Sequence, residues 1–272
     1  MAPLQGIILG IIQGLTEFLP VSSSGHLVLA QHLFGITEPA LFFDVSVHMG
    51  TLCAVLIVFR RDILLMFQAL WHEVMARLGR HDRLPGIDQA GLRLVFLIIA
   101  GSIPTGLIGL ALKRAEHLFS SLPLVGVMLL ITGGILWATR KWNTGSDVTG
   151  FSWPKAFAVG IVQGLAVLPG ISRSGTTIAA GMFFGLDRSA AARFSFLLSL
   201  PAIVGAEILS AGDLLTGKVV LNGTVLLGTL TAFLTGFVAL RALLKIVHRG
   251  RFYLFAPYCF GAGVLILWIA FR

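Results

Sequence analysis

Residues 10–35, GIIQGLTEFLPVSSSGHLVLAQHLFG, return in altered form at residues 160–185, GIVQGLAVLPGISRSGTTIAAGMFFG. At an offset of 150 with no gap, 11 of the 26 positions are identical, among them Gly10/Gly160, Gln13/Gln163, Gly14/Gly164, Ser22/Ser172, Ser24/Ser174 and Gly25/Gly175. Each copy is an apolar stretch interrupted by a knot of Pro, Ser and Gly. Two broken hydrophobic segments at matching positions of two halves point to a functional site at a repeat interface inside a membrane.

Composition supports the membrane setting. The chain is 56% hydrophobic and 12% charged, about half the charged share of an ordinary soluble domain. Its 32 glycines suit tight helix–helix contact, because lipid gives apolar faces no reason to associate and packing rests on small residues. Cys53 and Cys259 lie in apolar segments and read as buried thiols, with no disulfide framework. The first residues lack a basic stretch ahead of the apolar run, so no cleavable leader is expected.

Six segments are long and apolar enough to cross a hydrocarbon core: roughly 43–59, 92–112, 123–140, 191–209, 221–240 and 252–271. The repeated stretches differ. Residues 4–19 and 27–36, and likewise 155–168 and 176–186, are short pieces around breaks at Pro20–Gly25 and Pro169–Gly175. Irregular backbone cannot face lipid, so each break must be buried in protein or line a wet cavity. The expected fold is an all-α polytopic membrane protein with six transmembrane helices and two re-entrant helical hairpins. It forms a single membrane domain, with repeat halves at about 1–142 and 153–272.

Charge orients this plan. Loops 60–91, 141–155, 186–193 and 241–251, with the span-end residues Arg93 and Arg140, hold 15 of the 20 Lys and Arg residues. The other loops and ends carry Lys113, Arg114, Lys218 and Arg272. The positive-inside rule makes the first group cytoplasmic. The net charge of +8 is thereby accounted for at the membrane surface, and a nucleic-acid partner is excluded. Three spans separate the hairpins, an odd number, so they enter from opposite sides. The repeat is then of inverted topology, and its two broken loops meet near the midplane.

The copies share a backbone pattern but differ in chemistry. Copy one carries Gln13, Glu17, Ser22, Ser23, Ser24 and His26; copy two has Val167, Arg173 and Thr176 at the places of Glu17, Ser23 and His26. Gln13 and Glu17 share a helix face at i, i+4. In copy two, Ser172, Ser174, Gly175 and Thr177 surround a helix N-terminus, where free N–H groups and the helix dipole favour an anion. Arg173 adds a planar donor fork suited to phosphate oxygens. Glu17 with Gln13 can hold a hard divalent cation, Mg²⁺ or Ca²⁺. A cation, an arginine and a Ser23 or His26 nucleophile make a phosphoryl-transfer set. The competing readings are helix capping for the serines and glycines and a structural Glu17–Arg173 ion pair. His48 reads as a core histidine, Asp44 as a neighbour of the first hairpin, and Glu207 as a carboxylate in need of a partner.

The stretches Gln13-Gly-Leu-Thr-Glu17, Phe18-Leu-Pro-Val-Ser-Ser-Ser-Gly-His26 and Pro169-Gly-Ile-Ser-Arg-Ser-Gly-Thr-Thr177 resemble the undecaprenyl-diphosphate phosphatase family, the bacitracin-resistance membrane proteins of bacteria. The resemblance runs over essentially the whole chain; the first motif has Gln13 where Glu also occurs. It implies a metal-dependent phosphatase of the inner membrane, with its site open to the periplasm. The substrate would be a polyprenyl diphosphate, hydrolysed to the monophosphate carrier of peptidoglycan synthesis, with bacitracin resistance as a consequence. It further implies that Glu17, Ser23, His26 and Arg173 carry the reaction and that Ser22, Ser24, Ser172, Ser174, Gly175 and Thr177 bind phosphate. Membrane lipid surrounds the chain, and a homodimer is compatible with it. A lipid flippase or transporter is the rival reading, since inverted repeats with broken helices are also transporter architecture.

Overall fold

The structure, a computed structural model, describes residues 1–36, 41–79, 87–113, 121–142, 145–214 and 222–272. Most of the expected loops 37–42, 113–122 and 210–220 lie outside these residues, as do Arg80, Arg83, Arg114 and Lys218 of the charge count.

The first hairpin pairs helix α1, Pro3–Phe18, with α2, Ser23–Leu33. Pro3 opens α1 at a position where a missing N–H costs nothing. At 16 residues α1 is about 24 Å long, short of a hydrocarbon core. The second hairpin pairs α7, Trp153–Leu165, with α8, Arg173–Phe183. Both breaks are shorter than the sequence suggests, because α2 and α8 start earlier than the expected 27 and 176. Ser22 and Ser172 are the reason. Each hydroxyl accepts the N–H of the glycine three residues on, Gly25 at 3.4 Å and Gly175 at 3.0 Å, and so starts its helix.

The remaining helices are α3 (Leu41–Val58), α4 (Arg60–Arg77), α5 (Ile87–Lys113), α6 (Leu122–Ala138), α9 (Arg188–Leu214), α10 (Gly223–His248) and α11 (Ala256–Ala270). No strand occurs among the described residues, only a single bridge between Ser146 and Leu186. Each of the six expected spans falls on one helix. Five of these are long and apolar enough to cross alone, α6 and α11 once the 3-10 turns Thr139–Lys141 and Phe252–Phe255 that continue them are included, and a sixth follows if α3 and α4 count as one span bent by 73°. The chain is a multi-pass membrane protein. Helix α4 falls where the sequence predicts a loop; its first residues are Arg60, Arg61 and Asp62, which hide its apolar positions from a hydropathy average.

Glycine decides which helices lie together. Gly10 and Gly14 of α1 sit against Gly228, Thr231 and Thr235 of α10. Their repeat partners Gly160 and Gly164 of α7 sit against Gly101 and Ile108 of α5. Part of the repeat's identity is therefore packing. Cys259 is buried as expected, whereas Cys53 is exposed on the outer face of α3, where lipid rather than protein covers an apolar segment.

Hydroxyls stitch the two breaks to each other. Gly170 N–H donates to Ser22 Oγ at 3.0 Å, and Ser174 Oγ donates to the Phe18 carbonyl at 2.9 Å. Thr132 of α6 donates to the Gly170 carbonyl at 3.0 Å and accepts the Ser172 N–H at 3.1 Å. Gly170 has φ +96°, and an added Cβ would meet the Val125 carbonyl, so only glycine fits. Irregular backbone at this depth is satisfied internally.

Candidate functional site

A cavity of about 350 Å³ opens between the two hairpins and helices α3 and α9. Ser23 and Arg173, which occupy equivalent positions in the repeat, are the first residues of α2 and α8. The capping serines thus place a hydroxyl from one copy and a guanidinium from the other in the same space. Glu17 comes from the last turn of α1, one turn before the break.

These three side chains form one cluster. Glu17 Oε1 accepts from Arg173 Nη2, and Glu17 Oε2 accepts from Ser23 Oγ at 2.7 Å and from Gln13 Nε2 at 3.0 Å. His48 Nε2 of α3 stands 3.8 Å from the same oxygen. The acid is 8% exposed and Gln13 is fully buried. Arg173 Nη1 and Gln13 Oε1 are buried without a hydrogen-bond partner among the described residues. Arg173 lines the cavity, so its free donor suits a ligand that carries oxygen atoms and negative charge, whereas Gln13, fully buried, lies behind the lining.

The other candidate residues divide into two sets. Ser22, Ser24 and Ser172 also line the cavity. The Ser22 and Ser172 hydroxyls are committed to capping, and Ser22 takes the positive φ of 68°, unusual for a residue with a Cβ. Ser174, Gly175 and Thr177 lie behind the lining. Thr177 Oγ1 is fully buried and donates to the Arg173 carbonyl at 2.6 Å, with Ser195 Oγ at 2.5 Å. His26 is turned away: Nδ1 donates to the Ser22 carbonyl at 2.8 Å, and Nε2 meets the Tyr258 hydroxyl at 2.7 Å. Its ring stacks on Tyr258 at 5.8 Å and 14°.

Helices α3 and α9 contribute groups that the motifs do not mark. His48, expected in the core, lines the cavity, and its Nδ1 donates to the Asp44 carbonyl at 2.7 Å. Asp44 accepts from Gln31 of α2 at 2.9 Å. Glu207 lines the cavity from α9, six residues beyond Pro201, with Oε2 buried and unpartnered. The signal for all three was their ionisable chemistry inside a span. The Asp44–His48 spacing of one helical turn adds that they share a face.

As a metal site the cluster is partial. Among the described residues no group of three His, Cys, Asp or Glu side chains is placed to hold an ion. Both Glu17 oxygens already have donors; among the described residues the buried oxygens without a partner are Gln13 Oε1, which is not part of the cavity lining, and Gln163 Oε1 and Glu207 Oε2, whose residues are. Such a set fits a cation whose remaining ligands are phosphate oxygens and water, as is usual for Mg²⁺.

Comparison with known proteins bears on the chemistry. Residues 6–265 match the family described as Bacitracin resistance protein BacA. An undecaprenyl-diphosphatase of Desulfosudis oleivorans is 63% identical, with the whole of both chains covered. One of Desulforapulum autotrophicum is 56% identical over 96% of each chain. Another, of Methanobrevibacter smithii, is 41% identical over 97% of this chain and 96% of its own.

Proposed function

Because the chain belongs to the BacA family of bacitracin resistance proteins, we propose that it is an undecaprenyl-diphosphatase. It hydrolyses undecaprenyl diphosphate to the monophosphate and inorganic phosphate, which returns the lipid carrier to peptidoglycan synthesis and underlies bacitracin resistance. The observation that carries this reading is the convergence of Glu17, Ser23 and Arg173 from the two hairpins on one cavity.

Ser23 is the nucleophile. Its hydroxyl already donates to Glu17 Oε2 at 2.7 Å, so the carboxylate takes the proton as Oγ attacks the terminal phosphorus. The bond from that phosphorus to the bridging oxygen breaks, and undecaprenyl phosphate leaves as an anion. Arg173, through its unpartnered Nη1, binds the charge that builds on the phosphoryl oxygens. Water then attacks the phosphoserine phosphorus, the P–Oγ bond breaks as Glu17 returns the proton to Ser23 Oγ, and both water protons leave on the released phosphate as H2PO4⁻. Ser24 donates to phosphate oxygens, while Ser22, Ser172, Ser174, Gly175 and Thr177 shape the loops around it. His26 orients the first loop through the Ser22 carbonyl. A divalent cation held by Glu17 and Gln13 would neutralise phosphate charge. The prenyl tail leaves between apolar helices into lipid. The site opens to the periplasmic side of the inner membrane, in keeping with the basic loops at the opposite end.

The test is release of inorganic phosphate from undecaprenyl diphosphate by the purified protein in detergent, with and without chelator. Detergent offers no second compartment, so a flippase cannot give this signal. Release that is lost with Arg173→Ala and reduced by chelation is expected. A folded wild-type protein that releases none overturns the reading.

A further inference from the structure

A second cavity, of about 440 Å³, lies at the elbow between α3 and α4 and against the last turns of α10. Arg60, Arg61, Arg241 and Lys245 line it, together with apolar residues that include Ile57 and Leu244. Among the described residues no carboxylate lines it. Asp62, the nearest acid in sequence, is taken by Arg193 of α9 at 2.5 Å. Arg60 donates to the Ile57 carbonyl at 3.4 Å, and Arg241 lies over the Phe237 ring at 4.4 Å. Among the described residues, none of the four cations has an anionic partner. Four like charges around one cavity repel each other unless an anion joins them.

The helix that leaves the elbow says where that anion sits. Helix α4 turns 73° from α3. It exposes Leu64, Phe67, Trp71 and Val74, spaced three and four apart on one face. With α3 along the membrane normal, α4 runs near the membrane plane with this stripe in the acyl boundary. The elbow at Phe59, and the cavity beside it, are then at headgroup depth. This end of the bundle also carries the basic loops.

We propose that this cavity binds a phosphate-bearing anion, the headgroup of an anionic phospholipid, with Arg60, Arg61, Arg241 and Lys245 around the phosphate and Ile57 and Leu244 against the first acyl carbons. Basic pockets between spans at the membrane surface are suited to such headgroups. The site is separate from the Glu17–Arg173 cavity and does not depend on the hydrolytic reading.

The probes are dioleoyl phosphatidylglycerol, phosphatidylcholine with the same chains, and inorganic phosphate. Retention of each lipid by the detergent-purified protein is measured by native mass spectrometry. The wild type should hold one phosphatidylglycerol in preference to phosphatidylcholine. Arg61→Gln/Lys245→Gln should weaken that binding about 25-fold, from roughly a five-fold loss per cation. Arg60→Lys/Arg61→Lys keeps the charge and should keep the binding. Melting in lipid-free detergent reports whether each variant is folded. Undiminished phosphatidylglycerol binding by the folded double variant overturns the site. Displacement of phosphatidylglycerol by millimolar inorganic phosphate overturns the lipid assignment, leaving free phosphate as the ligand.

Discussion

Arg173 Nη2 donates to Glu17 Oε1, so one ion pair joins residues 156 positions apart and closes the two hairpins over the same cavity. Both side chains are largely buried, at 17% and 7% exposure. Removing one partner of such a pair leaves an uncompensated charge, at a cost of about 3 kcal/mol. Arg173→Ala should therefore lower the melting temperature as well as reduce kcat by about 10²-fold or more. Glu17→Gln/Arg173→Gln removes both charges and should regain most of the melting temperature while staying inactive. Recovery of phosphate release in that double variant would reduce the pair to a structural bridge.

Neighbouring serines should part company under mutation. Among the described residues Ser23 Oγ has one partner, Glu17, and no backbone group of the loop. Ser23→Ala should abolish turnover and leave the melting temperature nearly unchanged. Ser22 Oγ accepts the N–H groups of Gly25 and Gly170. Ser22→Ala leaves two buried donors unmatched, at a cost of about 1–3 kcal/mol. Its melting temperature should fall first, with activity following as the loops loosen. Equal melting temperatures for the two variants would contradict this division.

Geometry also ranks the two nucleophile candidates. Both ring nitrogens of His26 are occupied, by the Ser22 carbonyl and the Tyr258 hydroxyl, and the ring does not line the cavity. Rapid acid quench with substrate labelled in the terminal phosphate should trap an acid-stable, alkali-labile phosphoserine. His26→Asn should still form it, and Ser23→Ala should not. An acid-labile adduct that survives Ser23→Ala would move the chemistry to His26.

The repeat made much of this arrangement legible. Equivalent positions 23 and 173 carry Ser and Arg, and the structure brings them to one cavity because Ser22 and Ser172 cap equivalent helices. The two copies could be seen to differ in chemistry from their aligned residues alone. The rest needed three dimensions. Thr177 reads as a loop hydroxyl, yet it sits behind Arg173 with no face on the cavity. His48 and Glu207 lie on α3 and α9, outside any motif, and only packing shows that both helices border the hairpins. Helix α4 escaped because its polar start masks a one-sided apolar stripe.

Glycines that look alike in sequence should respond in opposite ways. A Cβ on Gly160 would overlap the Gly101 carbonyl of α5, a backbone group that cannot swing aside. Gly160→Ala must push α7 off α5 and lose the close packing on which membrane helices rely. Since α7 leads into the break that carries Arg173, activity should fall together with the melting temperature. Gly106 and Gly109 lie on the same α5, and a Cβ on either meets nothing within 4 Å. Alanine there gains helix propensity, worth up to about 1 kcal/mol. Gly106→Ala and Gly109→Ala should melt at or above the wild-type temperature with phosphate release intact. If Gly160→Ala were as harmless as these two, the α5–α7 contact would not be the constraint that shaped the repeat.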